Sequence, residues 1–208
     1  MDDNDTILAP ISYPKRQKKK AETRKKILEA SLELFFERQL DDVTLEDVAE
    51  RAGIHVQTLY RHFPNKVSLM VAGDELWLDR FRSYMSKDHD SDTFEMWREW
   101  LIFAYREFLK DIGKYRKLYQ HKAESMPALF GLWRIQIDYE NELCQSLAKD
   151  FRMSADDVGM PRLVAGMLIA GNAAVIRRFI RQETDFMRET LETVDRVESQ
   201  FKHLVIRD

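Results

Sequence analysis

Apolar residues recur every three to four positions along almost the whole chain. No stretch of any length alternates apolar and polar with the period of two expected of a strand. The pattern predicts nine helices. The first runs from about 20 to 38, with Ile27, Ala30, Ser31, Leu34 and Phe35 as its buried stripe. The second, over 45–52, places Leu45, Val48, Ala49 and Ala52 at i, i+3, i+4 and i+7, and a short third covers 56–63. The fourth begins after Asn65 and carries Leu69, Gly73, Leu76, Trp77, Phe81 and Tyr84 on its buried side. The fifth spans 93–112, stops at Gly113 and buries Phe94, Trp97, Leu101, Ala104, Tyr105, Phe108 and Ile112, a face widened by Trp100 and Phe103. Helices over 114–124 and 127–151 follow, the latter through Phe130, Trp133, Ile137, Leu143 and Leu147. The eighth and ninth, about 161–182 and 184–205, close the chain.

The segment Thr44–Lys66 carries the strongest local signals. Thr44 is a helix N-cap with Asp47 three residues on, the spacing at which a carboxylate reaches back to the cap amide. Gly53 supplies the left-handed backbone of a sharp helix–helix turn. His55 falls at the next cap, where a capping role outweighs contact with a base, and Ile54 and Leu59 flank it as a hydrophobic staple. Pro64 ends that helix, because Phe63 before it is pushed out of the α region. The result is a helix-turn-helix whose second helix exposes Val56, Gln57, Thr58, Tyr60 and Arg61 and fits the major groove of DNA.

The run T-L-x-D-V-A-x-x-A-G-I followed by T-L-Y-R-H-F-P-N-K resembles the DNA-binding signature of the tetracycline-repressor (TetR) family of bacterial transcription regulators, across roughly residues 20 to 70. The family usually has Ser at the position of His55 and often a small residue at that of Gln57. Both lie on the reading helix, so these departures bear on operator sequence and not on fold. Gly is usual where Gln39 stands, and a left-handed cap there costs other residues roughly a kcal/mol.

The resemblance implies an all-α fold with a three-helix helix-turn-helix DNA-binding domain (15–66, with its basic stretch) and a C-terminal helical ligand-binding and dimerisation domain (67–208). Residues 1–14 read as a disordered tail. By role, Val56, Gln57 and Thr58 occupy the first turn of the reading helix, with Gln57 suited to adenine and Val56 or the Thr58 methyl to a thymine methyl. Tyr60, Arg61, His62 and Lys66 match the family's phosphate-binding positions, and Thr44 and the amides beside it could hold a further phosphate. For His62 a buried turn histidine is an equal alternative.

Charge supports that reading only locally. The net charge is −3, yet residues 15–26 hold eight Lys/Arg against one acid, Glu22. A basic stretch beside a helix-turn-helix is the footprint of phosphate contact. The single Cys144 excludes an intrachain disulfide and a cysteine-based zinc site, and fits a reducing cytoplasm. No apolar run reaches membrane-spanning length, so no membrane partner is expected. The acidic N-terminus does not read as a signal peptide.

Enzymatic readings find little footing. There is no glycine-rich phosphate loop, no G-x-S-x-G and no Glu-x-x-His at any of the five histidines, so neither a cofactor nor a metal is expected. His121 is expected to be a partly exposed surface residue, with ligand contact as the alternative. Rings at helical spacing ordinarily form core. In aggregate, Trp97, Trp100, Tyr105, Tyr119, Trp133 and Asn172 could line an apolar cavity with a few polar handles. Small residues on the eighth helix (Ala165, Gly166, Ala170, Gly171, Ala173, Ala174) and the stripe Met187, Leu191, Val194, Val197, Phe201, Leu204 on the ninth suit a four-helix bundle across a two-fold axis, the family's usual homodimer.

The partners expected are therefore double-stranded operator DNA, a small apolar or aromatic effector and a second copy. Two other readings stand beside a ligand-released repressor: a ligand-independent DNA-binding protein whose C-terminal domain binds a protein, and a helical-bundle carrier or enzyme with a vestigial DNA motif.

Overall fold

The computed structural model describes residues 14–87, 89–156, 159–182 and 184–206. The tail expected over 1–14 lies outside these, apart from Pro14. Among the described residues there are ten α-helices, two 3₁₀ turns and no strand. In chain order the helices are α1 (Pro14–Glu37), α2 (Leu45–Arg51), α3 (Val56–His62), α4 (Lys66–Met70), α5 (Ala72–Met85), α6 (Thr93–Leu109), α7 (Ile112–Glu124), α8 (Met126–Asp150), α9 (Met160–Phe179) and α10 (Phe186–Phe201).

The first helix starts six residues earlier than its apolar stripe suggests, since it begins at Pro14 and not near Lys20. Proline suits a first helical turn, and the Lys/Arg/Gln run that follows consists of good helix formers. The basic stretch is thus helical. Lys18, Lys19, Lys20, Lys25 and Lys26 are exposed, but Arg24 turns inward, with its guanidinium 4.3 Å from the Phe63 ring centroid and Nη1 donating to His62 O at 3.4 Å. At the other end Gln39 is extended (φ −61°, ψ 144°) and leads into a 3₁₀ turn over Leu40–Asp42. The left-handed cap expected there does not form.

The expected fourth helix is two. It breaks at Val71 (φ −103°, ψ 0°), between α4 and α5. Gly131 of α8 lies directly against Val71, so the break coincides with a tertiary contact and has no proline to announce it. Leu76, assigned to the buried side, is 40% exposed, and Ala72, Leu78 and Phe81 fill that role. The expected fifth helix ends at Leu109, because Asp111 caps α7 by accepting from the Lys114 amide. Gly113 therefore sits in the first turn of α7, and Ile112 and Phe103 are exposed.

The phase of α8 is the largest revision. Its buried side runs through Ala128, Gly131, Ile135, Leu143, Cys144 and Leu147. Phe130, Trp133 and Ile137, expected inside, are outside, the first two more than 60% exposed. Pro127 and Pro161 occupy the first turns of α8 and α9 as expected. The last two helices end early, α9 at Phe179 and α10 at Phe201.

Helix α9 packs between α8 and α10, α5 lies on α8, and α6 lies on both α8 and α10. Gly171 allows the closest approach of α9 and α10, where a Cβ would collide with Thr193. Ion pairs of Arg98 with Asp195 and Glu198 tie α6 to α10. Helix α1 meets α7, and α4 meets α8. Among the described residues no helix is long and apolar enough to cross a membrane.

Candidate nucleic-acid interface and ligand cavity

The turn that presents α3 is built as its residues require. Thr44 Oγ1 accepts from the Asp47 amide at 3.0 Å while Asp47 Oδ2 accepts from the Thr44 amide at 2.9 Å. These bonds, the backbone's first, hold the Asp47 carboxyl below its ordinary value. Gly53 has φ +64°, the left-handed region where a Cβ is strained. Leu59 is fully buried and Ile54 packs against the same core. His55 holds the cap position of α3 through its extended backbone, but its side chain makes no capping bond and is exposed, so the capping role expected of the imidazole is not realised.

The outer face of α3 carries Gln57, Tyr60 and Arg61, all exposed, with Val56 and Thr58 half-buried at its edge. Arg61 Nη2 donates to Thr58 Oγ1 at 3.1 Å. His62 is half-buried, and its Nδ1 is buried without a hydrogen-bond partner among the described residues. Burial lowers its pKa, and the nearby charges of Lys20, Arg24 and Arg61 lower it further. That cluster of cations sits on one side of a chain whose net charge is negative. Lys66 Nζ donates to Asp41 O at 2.6 Å, which pins the 3₁₀ turn after α1.

A cavity of about 300 Å³ lies among α5, α6, α7, α8 and α9. Trp97, Trp100, Tyr105, Tyr119, Trp133 and Asn172 all line it, so the fold brings together every residue expected there. They do not share one depth. Trp97, Trp100 and Tyr105 are buried, whereas Trp133 is 61% exposed and stands at the mouth. Four of the polar groups are paired with one another, while Trp97 Nε1 is buried without a hydrogen-bond partner among the described residues. Tyr105 Oη donates to Asn172 Oδ1 at 2.5 Å, and Tyr119 Oη donates to Asp74 Oδ1 at 3.1 Å. The other Asp74 oxygen takes the ammonium of Lys122, whose side chain is 4% exposed. Burial, then the Asp74 charge, holds the Tyr119 and Tyr139 phenols well above their ordinary values.

Helix α7 has a second face. His121 is buried, and its Nδ1 donates to Phe35 O at 2.9 Å. It is therefore neither the surface residue expected from sequence nor a wall of the cavity. Lys117 Nζ donates to Phe36 O at 2.6 Å, and Ser125 Oγ donates to Asp41 Oδ1 at 2.9 Å. The helix that supplies Tyr119 to the cavity thus holds the end of α1.

The sequence profile of the bacterial regulatory proteins of the tetR family matches residues 27–72. Over 51 residues the chain is 49% identical to the HTH-type transcriptional repressor KstR of Rhodococcus jostii, a stretch that is 24% of either chain. It is 32% identical to the HTH-type transcriptional regulator TtgR of Pseudomonas putida over 116 residues, covering 53% of this chain and 55% of that one. These matches thus span between about a quarter and about half of the curated relatives' length. The likeness of fold extends further. The SmeT–triclosan complex superposes with a TM-score of 0.67 at 22% identity, over 86% of this chain and 91% of that one. SmeT is the repressor of the Stenotrophomonas maltophilia multidrug efflux pump SmeDEF.

The segment 27–72 is of the tetR family of bacterial regulatory proteins.

Asp74, Gln136, Tyr139 and Arg177, and Lys122 behind Asp74, are polar features of the cavity that sequence reasoning did not point to. Asp74 looks like an ordinary acid in a first helical turn, and Lys122 like a solvated cation near a helix end. Only Tyr139 had a signal, since it follows Ile135 by four residues on the buried side of α8.

Proposed function

We propose that the protein is a dimeric transcriptional repressor that holds a palindromic operator through α3 and releases it when a small, largely apolar aromatic molecule enters the cavity. The observation that carries this reading is the double role of α7. One face contributes Tyr119 to the cavity and the other anchors the last turn of α1, behind the helix-turn-helix, through Lys117 and His121. A ligand pressing on Tyr119 acts on that anchor without passing through the break at Val71. A ring-lined cavity also weighs against the reading in which a solid C-terminal core binds only a protein.

In this reading Gln57, with Val56 and Thr58, meets base edges, and Tyr60, Arg61, His62, Lys66 and Thr44 meet phosphates. The N-terminal unit, about 15–66, binds DNA and the rest, 67–208, binds ligand and partner. A second copy packs through α9 and α10. The outward face of α9 supports this, because Met160, Leu163 and Met167 are between 39% and 53% exposed, and Ala170 and Ala174 continue the stripe. Two reading helices about 34–36 Å apart then match one turn of DNA. A protein that acts on bacterial DNA works in the cytoplasm, and no catalysis is assigned to it.

Sequencing the DNA retained by the purified protein from fragmented genomic DNA tests the proposal. Enrichment of a short palindrome, released by ligands that quench tryptophan fluorescence, is the expected result. Retention with no sequence preference would overturn it.

A further inference from the structure

The apolar part of the cavity is aromatic, with Trp77, Trp97, Trp100, Phe108 and Trp133 among its walls. Its polar groups are few: a set of five, Gln136, and Arg177, which is exposed. Asp74, Tyr105, Tyr119, Tyr139 and Asn172 line the same space, and two hydrogen bonds join four of them. Each phenol is held protonated by burial. The set therefore offers neutral O–H and N–H donors and phenol oxygens that accept. Asp74 is its one carboxylate, and Lys122 neutralises it from behind. Lys122 itself is not part of the cavity wall.

This charge balance has a consequence for what can bind. A cation arriving at Asp74 finds the charge already compensated and must shed its water for little return. An anion meets the carboxylate before it meets Lys122, and the cation in the wall, Arg177, is exposed, where water and salt screen it. An uncharged hydroxyl gives up the least hydration, and it can both donate to a phenol or carboxylate oxygen and accept from a phenol. We propose that the cavity selects uncharged aromatic molecules that carry a hydroxyl group, and that the buried Lys122, by neutralising Asp74, is the residue that makes it reject cations. The proposal rests on the cavity being the effector site.

Four probes of one ring size separate the possibilities: naphthol, naphthalene, naphthoate and naphthylmethylammonium. Binding to the full chain is followed at pH 7 by tryptophan fluorescence, without DNA. Naphthol is expected to bind about tenfold more tightly than naphthalene and than either ion. Tyr139→Phe should reduce the advantage of naphthol while leaving naphthalene unchanged, which a general loss of packing would not do. Lys122→Met should move the preference toward the ammonium by about tenfold or more relative to naphthol, because Asp74 is left uncompensated. Should that variant not fold, Asp74→Asn with Lys122→Met removes both charges together and should keep the preference for naphthol over the ammonium.

Equal binding of naphthol and naphthalene would overturn the proposal. So would tighter binding of either ion, or no binding by any probe. The repressor reading is judged separately, by operator enrichment. A chain that selects an operator but shows no preference for naphthol refutes this inference alone. One that prefers naphthol but ignores DNA sequence refutes the repressor reading alone.

Discussion

Gly131 on α8 faces Val71 at the break between α4 and α5 so closely that a Cβ at Gly131 would lie 2.6 Å from Val71 Cγ1. Val71 is β-branched and stiff at χ1, so its side chain has little room to yield. The contact joins the helix leaving the DNA-binding unit to the helix that contributes Leu129, Leu132 and Trp133 to the cavity.

Gly131→Ala should therefore destabilise the fold by about 1–3 kcal/mol through overpacking. Val71→Ala in the same chain should recover most of that loss, since it removes the colliding methyl. A double-mutant cycle by urea unfolding measures the coupling. Additive single effects would mean that the two side chains do not press on each other.

The anchor on α1 gives a second expectation. His121→Ala leaves Phe35 O without its partner in a buried position and should cost about 1–3 kcal/mol in unfolding free energy. Lys117→Ala acts at an exposed site, so it should change stability by less than about 1 kcal/mol. If α7 carries the switch, both substitutions lower the factor by which ligand weakens operator binding. Linkage requires operator to weaken ligand binding by that same reduced factor. Titrating ligand with and without saturating operator checks both directions.

His62 predicts a pH dependence of two signs. Its pKa in the free folded chain is depressed by burial and by Lys20, Arg24 and Arg61. Its contribution to stability is therefore present above the unfolded-state value of about 6.5 and is lost as pH falls through the folded value. If a DNA phosphate sits beside the ring, it favours the protonated form, so bound DNA raises that pKa. Operator affinity should then increase as pH drops from 8 to about 6, while the thermal midpoint of the free protein falls. His62→Gln should flatten both trends.

Reading and holding separate at Gln57 and Lys66. Gln57→Ala should relax preference at one base pair per half-site, at a cost of about 1–3 kcal/mol there. Lys66→Ala should weaken all sequences alike and lower the salt slope by about one. Because Lys66 Nζ also holds Asp41 O, that variant should lose some thermal stability as well. Site selection at two salt concentrations distinguishes the pair, and an unchanged selected site for Gln57→Ala would remove Gln57 from the base-reading set.

The dimer is best tested on α9. Val194 and Val197 of α10 are buried within the single chain, so charging them would unfold it whether or not a dimer exists. Leu163→Glu with Met167→Lys should leave the monomer folded by circular dichroism and abolish the dimer in light scattering. Operator affinity should collapse with it. A monomer for the unmutated chain at micromolar concentration would sink the interface.

What the sequence alone determined is what neighbours within one or two turns decide. The Thr44–Asp47 capping box, the left-handed Gly53, the extended Phe63 before Pro64 and the aromatic faces of α5 and α6 are local consequences of residue type. They sufficed for the helix-turn-helix and for the α6 face that carries Trp97, Trp100 and Tyr105, whereas Tyr119, Trp133 and Asn172 reach the cavity only through the packing of α7, α8 and α9. Tertiary structure decided the rest. The face of α8 that turns inward depends on which neighbour is close enough to require Gly131, and periodicity cannot choose between two apolar faces. The break at Val71 coincides with that same contact. His121 and Lys122 are adjacent, yet one anchors a carbonyl 86 positions earlier and the other neutralises a carboxylate 48 positions earlier. Those pairings exist only once α1, α5 and α7 have packed, because burial makes unpaired polar groups costly and so dictates their partners.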